Sequence, residues 1–255
     1  MVRLERDGDL AVASFDSPPL NLFDKAMFEG LKEAVEAVES EPPRALLFRA
    51  EGRAVSGGVD VHEFDGLTPE EGSRLWDELI GLVERVEGLP LPVVFAAHAL
   101  TLTAAFELAL GCDLIVAARS AKFGLVEKVV GLTPSMGGTQ RLAERAGSGR
   151  ARHFVMSGEL FGAEEMERWG VVNLVWDDEG FDDRVRAYAG ELAAGPTKAH
   201  AMTKRILRRY REGGIPAADE TVRTEAADLF ATEDLKGAVK TFLDQGPGNA
   251  TFEGR

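Results

Sequence analysis

The chain has 255 residues, 45% of them hydrophobic and 28% charged, with glycine and proline dispersed; this excludes disorder and fibrous repeats and leaves enough chain for a substantial core. The 29 basic and 43 acidic residues give a formal charge of −14, which excludes nonspecific attraction to nucleic acid or an anionic membrane surface. The single cysteine, Cys112, cannot form an intrachain disulfide and lies in an apolar run, where it reads as a small buried hydrophobe.

The first ten residues mix charges of both signs without an apolar segment, so no signal peptide is expected and the expected location is cytoplasmic. A turn at Asp7, Gly8 and Asp9 divides residues 2–15 into two short strands, an opening hairpin. Asp24 is placed to cap a helix reaching residue 39, with Met27, Leu31, Val35 and Val38 at helical spacing, and Pro42 and Pro43 end it. Residues 44–50 form a short apolar run of the kind a buried strand makes, and they lead into the glycine-rich loop 51–60. A helix over 69–87, a strand over 93–97, a helix over 100–110 and a strand over 113–118 follow. The most apolar stretch, 92–118, contains His98, Glu107 and Asp113 and is interrupted by Gly111, which argues against a membrane span.

From Gly138 onward the pattern is almost wholly helical, with residues 170–176 the one expected strand and helices over 196–211 and 216–244 closing the chain. Strands alternating with helices in the first part predict an α/β architecture of mainly parallel strands, built from stacked turns of chain. The expected organisation is a core over 1–195 and a C-terminal helical region over 196–255 that serves packing or oligomerisation.

Glu107 is the most informative single residue. It lies in residues 103–110 (TAAFELAL), apolar on every helical face apart from the leading threonine, and a helix apolar all round is buried. A buried carboxylate is paired, hydrogen-bonded or raised in pKa, and the last makes a general acid or base near neutral pH. A structural salt bridge to an arginine is the alternative. Glu127, taken alone, reads as an ordinary solvated loop glutamate. Residues 56–60 (SGGVD) can bring backbone close to a ligand, and Thr103 and Ala104 stand at a helix start, where free N–H groups favour negative charge; either could equally be an ordinary turn.

In order along the chain, these segments resemble the crotonase (enoyl-CoA hydratase/isomerase) family, most strongly from residue 45 to 175. The matching stretches are 52–63 (GRAVSGGVDVHE), 92–113, 121–127 (AKFGLVE) continuing through 131–142 (GLTPSMGGTQRL), and 170–175 (GVVNLV). The resemblance implies a crotonase-like (ClpP/crotonase) α/β stack of strand-strand-helix turns, with a C-terminal helical region that makes homotrimers, often paired into hexamers. It implies hydration of a trans-2-enoyl-CoA to a 3-hydroxyacyl-CoA, with Glu107 and Glu127 as the acid-base pair and the N–H groups of Val59 and Ala104 as the oxyanion hole. It places Arg53, Gly58, Asp60, Val61, His62 and Ser135 at the substrate, with Arg53 as a phosphate partner.

An acyl-CoA thioester is then the partner, coenzyme A arrives as part of the substrate, and no cofactor, metal, nucleic acid or membrane is expected. The alternatives are a Δ3-Δ2 enoyl-CoA isomerase needing a single base near Glu127, and a noncatalytic acyl-CoA-binding subunit; thioester hydrolysis is a further chemistry of the family. Two departures stand out. Thr103, Ala104 and Ala105 replace a run of three glycines, so the second oxyanion donor is an alanine N–H that requires a negative φ and narrows the pocket. Ser135 replaces a glycine, and the family's phosphate-binding lysines are replaced by His62, which read alone is a surface histidine, and Gln245.

Overall fold

The N-terminal hairpin forms as its turn residues predict: β1 (Val2–Asp7) and β2 (Leu10–Phe15) pair antiparallel, from Val2 opposite Phe15 to Asp7 opposite Leu10, around Gly8 at φ +60°. The computed structural model describes residues 1–255. Asp24 caps α1 (Lys25–Ser40), its carboxylate accepting from the Met27 N–H at 2.8 Å, and Met27, Leu31, Val35 and Val38 are the face the helix buries. Next come β3 (Ala45–Ala50), α2 (Pro69–Gly88) with a Thr68/Glu71 capping box, and β4 (Val93–Ala97).

The expected helix over 100–110 is two elements. Residues Leu100–Leu102 form a short strand, β5, and the helix α3 spans Thr103–Gly111. Helical spacing could not separate them, because the three residues Leu100–Leu102 are too few to show a period. Then follow β6 (Leu114–Ala118), β7 (Lys122–Gly124), α4 (Gly138–Ala146) and α5 (Ser148–Ser157). The second half also holds a two-residue strand not expected from its pattern, β8 (Phe161–Gly162), before α6 (Ala163–Arg168). The strand expected over 170–176 is reduced to β9 (Leu174–Trp176), ahead of α7 (Phe181–Ala193). The closing helices are α8 (Thr197–Thr224), broken at the non-helical Gly213 and Gly214, and α9 (Glu233–Gln245).

The strands make two sheets. The larger has the order β1-β2-β3-β4-β6-β9, parallel except for the first pair, and the smaller has the order β5-β7-β8. Successive turns of chain therefore place one strand in the large sheet and the next in the small one: β4 then β5, β6 then β7. A bridge from Ser56 to Thr101 extends the small sheet's side to the turn after β3. This is the α/β architecture of stacked turns that the alternating elements predict, with the strand-strand-helix turn that the resemblance implies. Strands β2 and β4 are buried on both faces, as parallel sheets require. One face packs into the main core with Phe15, Phe48 and Phe95; the other is covered by Phe181, Val185 and Ala189 of α7. No helix is long and apolar enough to cross a membrane.

Candidate active site

Glu107 is 3% exposed at the centre of α3, every residue of which is buried. No arginine pairs with it. Its carboxylate accepts instead from three backbone N–H groups: Oε2 from Met136 and Gly138, each at 2.8 Å, and Oε1 from Ser135 at 3.3 Å. Gly138 is the first residue of α4, so the carboxylate sits at a helix N-terminus, where free amides favour negative charge. Burial nevertheless outweighs those bonds and raises its pKa to about 7. The glycine is required there, because a Cβ on Gly138 would lie 2.6 Å from Glu107 Cγ.

Glu127 is not the solvated loop glutamate that its local sequence suggests. It opens a short 3-10 turn, Glu127–Val130, and both carboxylate oxygens are buried without a hydrogen-bond partner. Desolvation first, and the charge of Glu107 second, raise its pKa to about 8. The two carboxylates thus have different supports. Glu107, with three amides, is the better place for a charge; Glu127, with none, is the better place for a proton.

The two turns expected to hold an oxyanion flank this pair. Phe23 takes the Gly58 carbonyl (2.8 Å) and the Asp60 N–H (3.0 Å), so the Val59 N–H between them is turned away and makes no bond within the chain. Asn21 anchors this turn: its side-chain amide donates to Glu51 O at 2.8 Å and Ala54 O at 2.9 Å, and its carbonyl accepts from Ser56 Oγ at 2.7 Å. Sequence reasoning missed Asn21, whose positive φ of 50° is the kind of backbone that asparagine tolerates. On the second turn, Ala104 lies in the first turn of α3, which has no side-chain cap, so its N–H is free. Ala104 keeps a negative φ, as expected; the strained residue is its neighbour Thr103, at φ +45°.

A cavity of about 180 Å³ lies beside these parts, lined by Gly58, Val59, Val61, Thr103, Glu107, Glu127 and Ser135, with Phe64, Leu79, Val126, Leu132 and Met136 as apolar wall; Ala104, fully buried behind Thr103 in sequence, is not among the lining residues. Ser135 donates its backbone N–H to Glu107 Oε1 at 3.3 Å, while its hydroxyl donates to Thr133 O at 2.9 Å. Three residues expected at the substrate are not part of this lining. Asp60 caps the short turn Val61–Phe64 and meets His62 Nδ1 at 2.6 Å, and that contact raises the histidine's pKa. His62 and Arg53 are both exposed. A second, more open hollow of about 340 Å³ lies elsewhere, lined by His98, Asp178, Asp182 and Asp183. Its acidic wall repels anionic ligands.

The raised pKa of Glu127 has a consequence for stability. A carboxyl group whose folded pKa exceeds its ordinary value of 4.5 carries no penalty below that value, and the fold loses stability as pH rises through about 8. Glu127→Gln removes the penalty. The variant is expected to melt above wild type at pH 9, by about 2 to 4 °C for each kcal/mol relieved, and to match it near pH 4.5. Calorimetric scans at the two pH values check this; equal melting temperatures at pH 9 would place the carboxylate in a solvated setting.

The sequence profile described as enoyl-CoA hydratase/isomerase matches residues 5–255. The chain is 30% identical over 253 residues, 96% of each chain, to a crotonyl-CoA hydratase of Syntrophomonas wolfei. It is 34% identical over 229 residues, 88% of this chain and 87% of the other, to a 1,2-epoxyphenylacetyl-CoA isomerase of Escherichia coli. Its fold superposes with a TM-score of 0.89, at 27% identity and 96% coverage of each chain, on the crystal structure of an enoyl-CoA hydratase from Mycobacterium smegmatis.

Proposed function

The chain belongs to the enoyl-CoA hydratase/isomerase family, and from that premise we propose that it hydrates trans-2-enoyl-CoA thioesters to 3-hydroxyacyl-CoA. The observation that carries this is the unequal pair of buried carboxylates in one cleft, one held by three amides and one by none.

In this reading Glu107, ionised, takes a proton from water as the water oxygen bonds to the substrate β-carbon. The π electrons move toward the thioester, whose oxygen takes the enolate charge, and the Val59 and Ala104 N–H groups are the donors that stabilise it. Glu127, protonated, delivers its proton to the α-carbon and is left ionised; proton exchange with Glu107 resets the pair. Preorganised donors of this kind supply about 2.7 to 4 kcal/mol each when removed singly. The apolar wall formed by Phe64, Leu79 and Leu132 suits an acyl chain. Coenzyme A enters as part of the substrate, the reading calls for no separate cofactor, and exposed Arg53 is the proposed phosphate partner.

Incubation of the pure, folded protein with crotonyl-CoA and longer enoyl-CoAs tests the proposal by loss of the conjugated thioester absorbance; no hydration at any chain length would refute it. A Δ3-Δ2 isomerase is the second reading, favoured by the relative named as an isomerase and by the partner-free Glu127, which could move a proton alone. Isomerisation of a 3-enoyl-CoA that survives Glu107→Gln would support it.

Self-association through the C-terminal helices is proposed on their apolar side chains left at the surface, including Phe230 at 75% and Leu243 at 78% exposure. A trimer, or a hexamer of two trimers, is the expected mass by light scattering. The double variant Phe230→Asp/Leu243→Asp is expected to run as a monomer, and an unchanged mass would place the interface elsewhere.

A further inference from the structure

Thr103 combines two unfavourable features. It is a β-branched residue at φ +45°, a backbone region such residues rarely enter. It is also 6% exposed, with a buried hydroxyl that has no hydrogen-bond partner in the chain. Either alone could be tolerated as local strain; together they point to a hydroxyl kept for something other than the fold. Glycine would take the backbone angle without strain, and valine would fill the same volume without burying an unpaired polar atom.

The position of that hydroxyl is informative. Thr103 immediately precedes Ala104, and its Oγ1 lies 2.9 Å from where a Cβ on Gly58 would project, immediately before Val59. The hydroxyl therefore stands at the seam between the two turns whose N–H groups are free. Thr103 lines the same cleft as Glu107 and Glu127, with its hydroxyl packed against Gly58 at the edge of that cleft. A threonine hydroxyl has one proton to give and can rotate to aim it.

We propose that the Thr103 hydroxyl is a third donor to the thioester oxygen, joining the Val59 and Ala104 amides; this rests on the thioester reading above. Where three glycines would offer an amide alone, this chain adds a side-chain donor that gains strength as charge develops on the oxygen. The polarisation is then greatest in the enolate-like state, so the effect falls on kcat more than on KM.

The experiment compares wild type with Thr103→Val, Thr103→Ser and Thr103→Gly by three measurements: steady-state hydration of crotonyl-CoA, melting temperature, and the absorption of bound 4-dimethylaminocinnamoyl-CoA, which moves to the red as its carbonyl is polarised. Thr103→Val is expected to lose roughly 10²-fold in kcat with KM little changed, to show a smaller red shift, and to melt at or above wild type. Thr103→Ser restores the hydroxyl and is expected within a few-fold of wild type. Thr103→Gly accepts the backbone angle and keeps the test open if the valine variant does not fold; the same loss of kcat and red shift is expected of it. A full red shift and wild-type kcat in Thr103→Val or Thr103→Gly overturns the third donor alone, as does a serine variant as impaired as the valine one. A wild-type protein that neither binds nor polarises the cinnamoyl thioester overturns the thioester reading, and the third donor with it.

Discussion

Glu127→Gln is expected to lower kcat for crotonyl-CoA hydration by about 10³-fold, inside the 10²- to 10⁴-fold range of a positioned acid or base, with KM little changed. The amide fills the same space and has no proton of suitable acidity for the α-carbon. Glu107→Gln is expected to lose activity on the same scale but with the opposite effect on the fold. Its new NH2 group would face one of the N–H donors of Ser135, Met136 and Gly138 that now point at a carboxylate. Two donors brought together leave a buried N–H unpaired, which costs about 1 to 3 kcal/mol. One substitution should therefore raise the melting temperature at alkaline pH and the other lower it, and stopped assays with circular dichroism separate chemistry from folding.

The proposed hydration also predicts a pH dependence. It calls for one carboxylate ionised and one protonated, so kcat should fall below about 7 as Glu107 gains a proton and above about 8 as Glu127 loses one. The two limbs belong to the coupled pair rather than to either residue alone. A profile flat from pH 6 to pH 9 would exclude this division of roles.

Gly138→Ala is the second large effect. The added Cβ would lie 2.6 Å from Glu107 Cγ and 2.9 Å from Oε2, closer than real contacts allow, and α3 has no free side on which Glu107 could retreat. Overpacking of this kind costs about 1 to 3 kcal/mol, and displacing the carboxylate by about 1 Å costs roughly 10²-fold in rate. Both losses are expected together. Gly149→Ala in α5 is the control: nothing lies within 4 Å of its added methyl, and alanine is the better helix former, so activity should be unchanged and stability equal or slightly higher. If Gly138→Ala behaves like the control, the tight junction between α3 and α4 does not hold Glu107.

The unequal fates of the two glutamates show how far local pattern reaches. Glu107 was legible because its neighbours in residues 103–110 are apolar on every face, and a carboxylate in such a helix must be accounted for. Glu127 was not, since a glycine and a short apolar turn around a glutamate occur on many surfaces; only the order of motifs along the chain joined it to Glu107. Strand β5 was absorbed into the following helix, and β8 is too short to show a period at all. Arg53 and His62 followed from resemblance, and the structure leaves both at the surface.

What the amino-acid order determined by itself is the alternation of strands and helices, the burial of α3 and the succession of family motifs, because each is written in neighbours within a few residues of one another. What only the tertiary structure decided is the carboxylate support, the proton's place and the strained threonine. The amides of Ser135, Met136 and Gly138 reach Glu107 across 28 to 31 residues, and the hydroxyl of Thr103 meets the turn at Gly58, from an earlier part of the chain. Local periodicity carries no information at such separations. Burial, which raises the pKa of two ordinary glutamates, is a property of the packed whole.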